Sequence, residues 1–157
     1  MITIVRKDFN HNISKSAYET YIDTFDATTV VCTEGCGGTH TKHGFYKRSY
    51  YHNNNKCYIY ILRIKCNKCN KTHAILPYFL LPYFLIPISD IINILTLYTK
   101  DQYKCFFERN YIYDESKVSY IKRRFSGCVI HSVKNLYQSL YSHLTKSVHL
   151  IEIMEPT

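Results

Sequence analysis

Acidic residues are missing from the middle of this chain: between Gly35 and Ser89 there is no aspartate and no glutamate. Tryptophan is absent altogether, and glycine and proline number only 5 and 4. So little glycine and proline excludes a low-complexity or collagen-like chain. The longest apolar run, Ala74–Ile88, is fifteen residues, short of the roughly twenty that a membrane-spanning helix requires. Pro77, Pro82 and Pro87 divide that run, and each removes a backbone donor and crowds the preceding turn. The run therefore reads as a buried connector, extended between two structural units, with no membrane contact. The opening residues MITIVRKDF lack the long apolar core of a secretory signal, so a cytoplasmic location is expected. On that reading the sequon Asn12-Ile13-Ser14 stays unmodified. The seven cysteines, an odd number, then argue for metal binding over a secreted disulfide framework.

What is present is positive charge. The formal net charge is +8 over 157 residues, and the isoelectric point is about 9.1. The acid-free span carries eight of the cations: Lys42, Lys47, Arg48, Lys56, Arg63, Lys65, Lys68 and Lys71. A second basic cluster comprises Lys117, Lys122, Arg123 and Arg124. Positive charge gathered in this way suits a polyanion, of which nucleic acid is the commonest. A solvated basic face is the plain alternative. Tyrosine is abundant, at 16 residues, and Tyr46, Tyr50, Tyr51, Tyr58 and Tyr60 fall among the cations.

The cysteines carry the sharpest pattern. Cys32-x3-Cys36 and Cys66-x2-Cys69 are two close pairs, and each can turn two sulfurs toward one ion. Four thiolates make a closed tetrahedral zinc site with no open position for chemistry. With one zinc the four thiolates carry −2, which lowers the net charge to about +6. Gly37-Gly38 relieves crowding beside the first pair. His40, His43 and His73 lie near enough in sequence to replace Cys36 if its extra spacing residue misplaces it, although surface or supporting roles suit them better. Cys57 is expected to be a buried strand residue, and Cys105 and Cys128 small apolar fillers in helices.

Between the pairs, THTKHGFYKRSYY reads as a strand, HNNNK as a turn tolerant of left-handed backbone, and CYIYILRIKC as the returning strand. Its alternation sets Tyr58, Tyr60, Leu62 and Ile64 against Ile59, Ile61 and Arg63. ITIV and ATTVV have β character, with a polar stretch between them. After Pro87 the period becomes helical. Ser89 is a candidate N-cap followed by Asp90, with Ile91, Ile92, Leu95 and Tyr98 as the apolar stripe. A short helix is expected from Asp101. Another is expected to be capped by Asp114, with Val118, Ile121 and Phe125 buried and Gly127 as its stop. A last helix is expected over about Val129–Lys146, and LIEIMEPT forms a short strand or a frayed end.

The order CTEGCGG, HGFYKR, then ILRIKCNKCNKTHAILPYFLLPY resembles a bacterial zinc-ribbon domain of unknown function commonly described as transposase-like. It is also similar to the amino-terminal zinc ribbon of some insertion-sequence transposases. The resemblance covers about residues 30–95, and it departs from the usual pattern in the three-residue spacing of the first pair. It implies a helix-turn-helix after the ribbon, with SKVSYIKRRF, residues 116–125, as a degraded recognition helix. A strand-transfer domain needs separated carboxylates. After residue 100 the acids are Asp101, Glu108, Asp114, Glu115, Glu152 and Glu155, none in a βαβ setting, so no catalysis is expected.

The fold class expected is therefore α+β. A zinc-ribbon β-hairpin unit occupies residues 1–76, a buried proline-rich connector 77–88, and a unit of three to four helices 89–157, with a possible degenerate helix-turn-helix. The expected function is zinc-stabilised nucleic-acid binding, to duplex DNA. Lys47, Arg48, Arg63, Lys65, Lys68 and Lys71 would meet phosphates, and Lys117, Ser119, Lys122 and Arg123 would approach a groove. The alternatives are single-stranded DNA or RNA stacking on the tyrosine-rich hairpin, and a zinc-ribbon adaptor between proteins.

Overall fold

A computed structural model of the chain describes residues 2–6, 15–32, 34–126 and 149–153, the first and last of these as backbone only. The architecture is mixed α+β. Strands β1 (Ile2–Arg6), β2 (His40–His52), β3 (Asn55–Cys66), β4 (Thr72–Leu76) and β5 (His149–Ile153) form one sheet in the order β2-β3-β4-β1-β5. β3 and β4 are antiparallel, with Leu62 opposite Ile75 and Lys65 opposite Thr72. β1 runs parallel to both β4 and β5. The helices are α1 (Lys15–Thr24), α2 (Ile88–Leu95), α3 (Lys100–Arg109) and α4 (Glu115–Arg124). No helix among the described residues is long and apolar enough to cross a membrane.

The chain divides into two compact units. The first comprises residues 1–48, 58–78 and 147–157, and the second residues 49–57 and 79–146.

The long hairpin of β2 and β3 is set by its turn, which belongs to the second unit. Asn53 and Asn54 take φ of 48° and 62°, the left-handed pair that a two-residue hairpin turn demands and that asparagine tolerates best. The alternation expected along β3 is corrected by the structure. Ile59 and Ile61 are buried while Tyr58 and Tyr60 are exposed, but Leu62 and Ile64 are buried as well and Arg63 is exposed. Burial thus changes phase between Ile61 and Leu62.

Helix α1 explains what happens at Leu62. Its buried Tyr18 receives the Leu62 N–H at 3.2 Å and donates its hydroxyl to the Ile75 carbonyl at 2.7 Å. One phenol therefore stands as a rung at the end of the β3–β4 ladder. Burial pushes its ionisation far above the ordinary tyrosine range. The polar stretch that holds α1 gave no helical period, and ATTVV is not a strand: Ala27–Thr29 is a 3-10 turn capped by Asp26. Asp26 accepts from the Thr28 amide at 2.9 Å, and this bond is the first cause of the carboxyl's lowered pKa.

In the second unit, residues 79–87 form turns and no helix, closed by a bridge between Leu80 and Pro87. The expected extended course is thus a doubled-back one, although Phe79, Leu80, Leu81 and Phe84 are buried as anticipated. Tyr51 donates its amide to the Leu85 carbonyl at 2.7 Å, and Asn54 its side-chain amide to the Arg109 carbonyl at 2.8 Å. The hairpin tip is thereby tied to the connector and to the end of α3.

Helix α2 begins two residues earlier than its sequence suggests, after Pro87, so Ser89 is not the N-cap and instead hydrogen-bonds to Asp90. The buried face is Ile88, Ile91 and Ile94. Tyr98, expected in the stripe, lies beyond the end of α2 and is exposed. The Tyr113 hydroxyl donates to Asp90 at 2.6 Å. Burial raises the Asp90 pKa, with the Tyr113 bond acting in the opposite sense. Helix α3 starts at a capping box in which Thr99 and Gln102 exchange hydrogen bonds. This cap satisfies two orphan amides. Helix α4 is capped by Asp114 and buries Val118 and Ile121, with Phe125 buried just beyond it, as the sequence indicates. Cys105 is exposed on α3 and so is not a buried filler; the buried position of that helix is the next residue, Phe106. Gly127, Cys128 and the expected helix over 129–146 lie outside the described residues.

Candidate metal centre

The two cysteine pairs converge. The sulfurs of Cys32, Cys36, Cys66 and Cys69 all lie within 4.8 Å of one another. Cys32 Sγ is 3.6 Å from Cys69 Sγ, and Cys36 Sγ is 3.5 Å from Cys66 Sγ. A disulfide would bring sulfurs to about 2.05 Å. A tetrahedron of ~2.3 Å metal–sulfur bonds has sulfur–sulfur edges of ~3.8 Å. The spacing observed therefore fits four ligands of one ion and no covalent bond. Cys36 is one of the four despite its wider spacing, so no histidine is needed in its place.

Backbone conformation creates this convergence. Gly35 and Gly37 take φ of +68° and +64°, a region costly for other residues, and so bend CTEGCGG back on itself. The Cys32 amide then donates to the Gly38 carbonyl at 3.3 Å. Gly38 is where the first knuckle meets the second: a Cβ there would sit 2.5 Å from Cys66 Sγ and 2.9 Å from Asn67 Oδ1. Asn67 joins the knuckles in three ways. Its amide donates to the Thr39 carbonyl at 3.0 Å, its Oδ1 accepts from the Thr39 amide at 3.1 Å, and its Nδ2 donates to Thr39 Oγ1 at 3.0 Å. Lys71, just after the second pair, is ion-paired with Glu34 in the first.

The electrostatics call for a cation. Hydrogen bonding from the backbone amides of Cys69 and Lys68 outweighs burial and draws the Cys66 thiol down to about 6. Cys32 is pushed up to about 12: a hydrogen bond from the Glu34 amide favours its thiolate, but burial and the three neighbouring sulfurs overcome it. Cys69 is also raised, against a hydrogen bond from the Lys71 amide, by burial and by Cys66. Without a metal, one sulfur ionises easily and its neighbours then resist. A divalent ion at the centre removes that opposition. The set consists of soft thiolates with no carboxylate, which fits zinc and not magnesium or calcium.

The other sequence candidates are distributed as follows. His43 is exposed, whereas His40 and His73 are buried. Cys57 is half-buried on β3 and outside the cluster. In the first unit, Arg63 and Lys68 are exposed and Lys65 half-buried, and none of the three makes an ion pair among the described residues. Lys71 is committed to Glu34. Lys47 places its ammonium 4.1 Å from the centre of the Tyr58 ring, and Arg48 is half-buried. Lys42 is also committed, donating to the Ile22 and Asp23 carbonyls of α1 at 2.9 and 3.3 Å.

In the second unit, Ser119 and Arg123 are exposed on α4. Lys117 pairs with Asp114 at 3.2 Å and donates to the Ile112 carbonyl at 2.7 Å. Lys122 is half-buried and donates to the Leu97 carbonyl, with its ammonium 4.8 Å from the Tyr103 ring centre.

The profile of a family described as a domain of unknown function (DUF6431) matches residues 32–106, just under half of the chain. No curated protein and no solved structure matches it. The match begins at the first cysteine of the cluster and contains all four.

Proposed function

We propose that the chain is a zinc-stabilised nucleic-acid-binding module acting on duplex DNA, akin to the zinc ribbon of insertion-sequence transposases, with binding and not catalysis as the role of these residues. The four-cysteine centre is a zinc ribbon in this reading. It is closed, so its metal holds the knuckles and does no chemistry. The observation that carries the proposal is the set of cations left over once internal pairs are made. Arg63, Lys65 and Lys68 flank the second knuckle without an ion pair among the described residues, in a span with no acid to neutralise them. In this reading helix α4, which follows α3 after a short turn, serves as the recognition helix. It offers Ser119 and Arg123, while Lys117 and Lys122 hold its position.

Salt dependence tests this reading. Duplex binding followed by fluorescence anisotropy should weaken steeply with salt, and Arg63→Ala, Lys65→Ala and Lys68→Ala together should flatten the log–log slope by about 2.7, at ~0.9 for each phosphate no longer neutralised. Arg123→Ala should change the ranking among sequences if α4 reads bases. An unchanged slope in the triple variant, or no duplex binding at low salt, would remove the proposal.

A second reading has its own observation. Tyr58 and Tyr60 are exposed on β3, and the Lys47 ammonium lies over Tyr58, an arrangement suited to stacking unpaired bases. Tighter binding to a single strand than to duplex of the same length, lost in Tyr58→Ala, would favour it.

A further inference from the structure

Cys32 belongs to two clusters. Besides the four sulfurs, its Sγ lies with ligand atoms of His40 and His73 within a second set, all within 4.8 Å of one another and all three residues buried. The His40 ring is fixed. Its Nδ1 lies 2.8 Å from the Val30 carbonyl. A carbonyl only accepts, so Nδ1 carries the proton and Nε2 presents a bare lone pair. That Nε2 is fully buried and has no hydrogen-bond partner among the described residues. An imidazole with one nitrogen bonded to a backbone carbonyl and the other bare is the form in which histidine binds metals. The two histidine rings meet edge to face, with centroids 5.3 Å apart at 82°.

Charge points the same way. Four thiolates around one divalent ion leave −2 in a site whose Cys32 and Cys66 are buried, and a second divalent ion would neutralise it.

We propose that the first unit binds a second divalent metal ion on His40 Nε2, His73 and Cys32, with the Cys32 sulfur bridging the two ions. This rests on the four-cysteine centre holding the first ion. The second donor set, two imidazoles and a thiolate without carboxylate, suits zinc or cobalt. Three protein ligands leave the fourth tetrahedral position to an exogenous donor.

The experiment is a cobalt(II) titration of the reduced, metal-free full-length chain, read by absorption, by electron paramagnetic resonance and by bound-metal analysis. Two ions per chain are expected. The second should diminish the resonance signal left by the first, because a shared thiolate couples the two spins. His40→Phe and His73→Phe should each lower the stoichiometry to one while keeping the four-sulfur absorption of the first ion. Saturation of the unaltered chain at one ion would overturn the second site and leave the first standing, whereas no binding at all would overturn both. Two ions whose signals simply add, or two ions retained in both histidine variants, would also overturn the proposal. Because the unaltered chain supplies the stoichiometry and the spin coupling, the test survives a variant that fails to fold.

Discussion

Gly38→Ala is the sharpest perturbation of the metal centre that leaves every ligand in place. The added methyl would lie 2.5 Å from Cys66 Sγ, 2.9 Å from Asn67 Oδ1 and 3.0 Å from Lys68 Cβ. None of these neighbours can yield cheaply. Cys66 is buried and fixed by its place in the cluster, and Asn67 is held by its bonds to Thr39. Relief requires the two knuckles to separate, which lengthens the sulfur–sulfur contacts across the cluster. Overpacking of this kind costs about 1–3 kcal/mol, which corresponds to roughly a 5- to 150-fold loss of zinc affinity when the strain falls on the bound form. Gly35→Ala is the control. Its φ is +68° but nothing lies within 4 Å of the added methyl, so it carries only the backbone penalty, about 1–2 kcal/mol. That penalty is also present in part without metal. Competition against a chelator of known affinity measures both variants. If Gly38→Ala bound zinc as tightly as the unaltered chain, the close approach of the knuckles would not be what the metal holds.

Two further outcomes follow from buried polar pairs. Tyr18→Phe leaves the Leu62 amide and the Ile75 carbonyl without the hydroxyl that joins them. Each unsatisfied group costs about 1–3 kcal/mol, so urea unfolding should show a loss of at least ~2 kcal/mol, and a loss below ~0.5 kcal/mol would contradict the rung. Asp90→Asn tests the pair with Tyr113. Burial raises the Asp90 pKa above its ordinary 3.8, so the folded state holds that proton more tightly than the unfolded one. The associated stability is present below pH 3.8 and is lost as pH rises through the raised value. The difference in stability between the unaltered chain and Asp90→Asn should therefore shrink or change sign across that window. A difference independent of pH would show that Asp90 is not perturbed.

How much of this was legible in the sequence varies with the range of the forces involved. The four cysteines were, because two short spacings restrict each pair to a tight turn whatever surrounds it. The hairpin turn and the Asp114 cap were legible for the same reason, since asparagine at positive φ and a carboxylate at a helix start act over two or three residues. Helix α1 was not: its two buried positions, Tyr18 and Ile22, are too few to produce an apolar period. Nor was the phase change at Leu62, which comes with a phenol from 44 residues away. The fates of the cations were equally hidden. Lys65 and Lys68 remain without ion pairs among the described residues while Lys71 is claimed by Glu34, 37 positions earlier, and no local pattern distinguishes them. His40 and His73 looked like surface or supporting groups because their burial around Cys32 depends on how β2 and β4 are placed.

The central claim is that Cys32, Cys36, Cys66 and Cys69 form one closed metal site, and X-ray absorption at the zinc edge tests it most directly. The full-length chain loaded with a single equivalent of zinc should show a first shell of four sulfurs at ~2.3 Å. A shell dominated by nitrogen or oxygen, or one with two sulfurs or fewer, would contradict it.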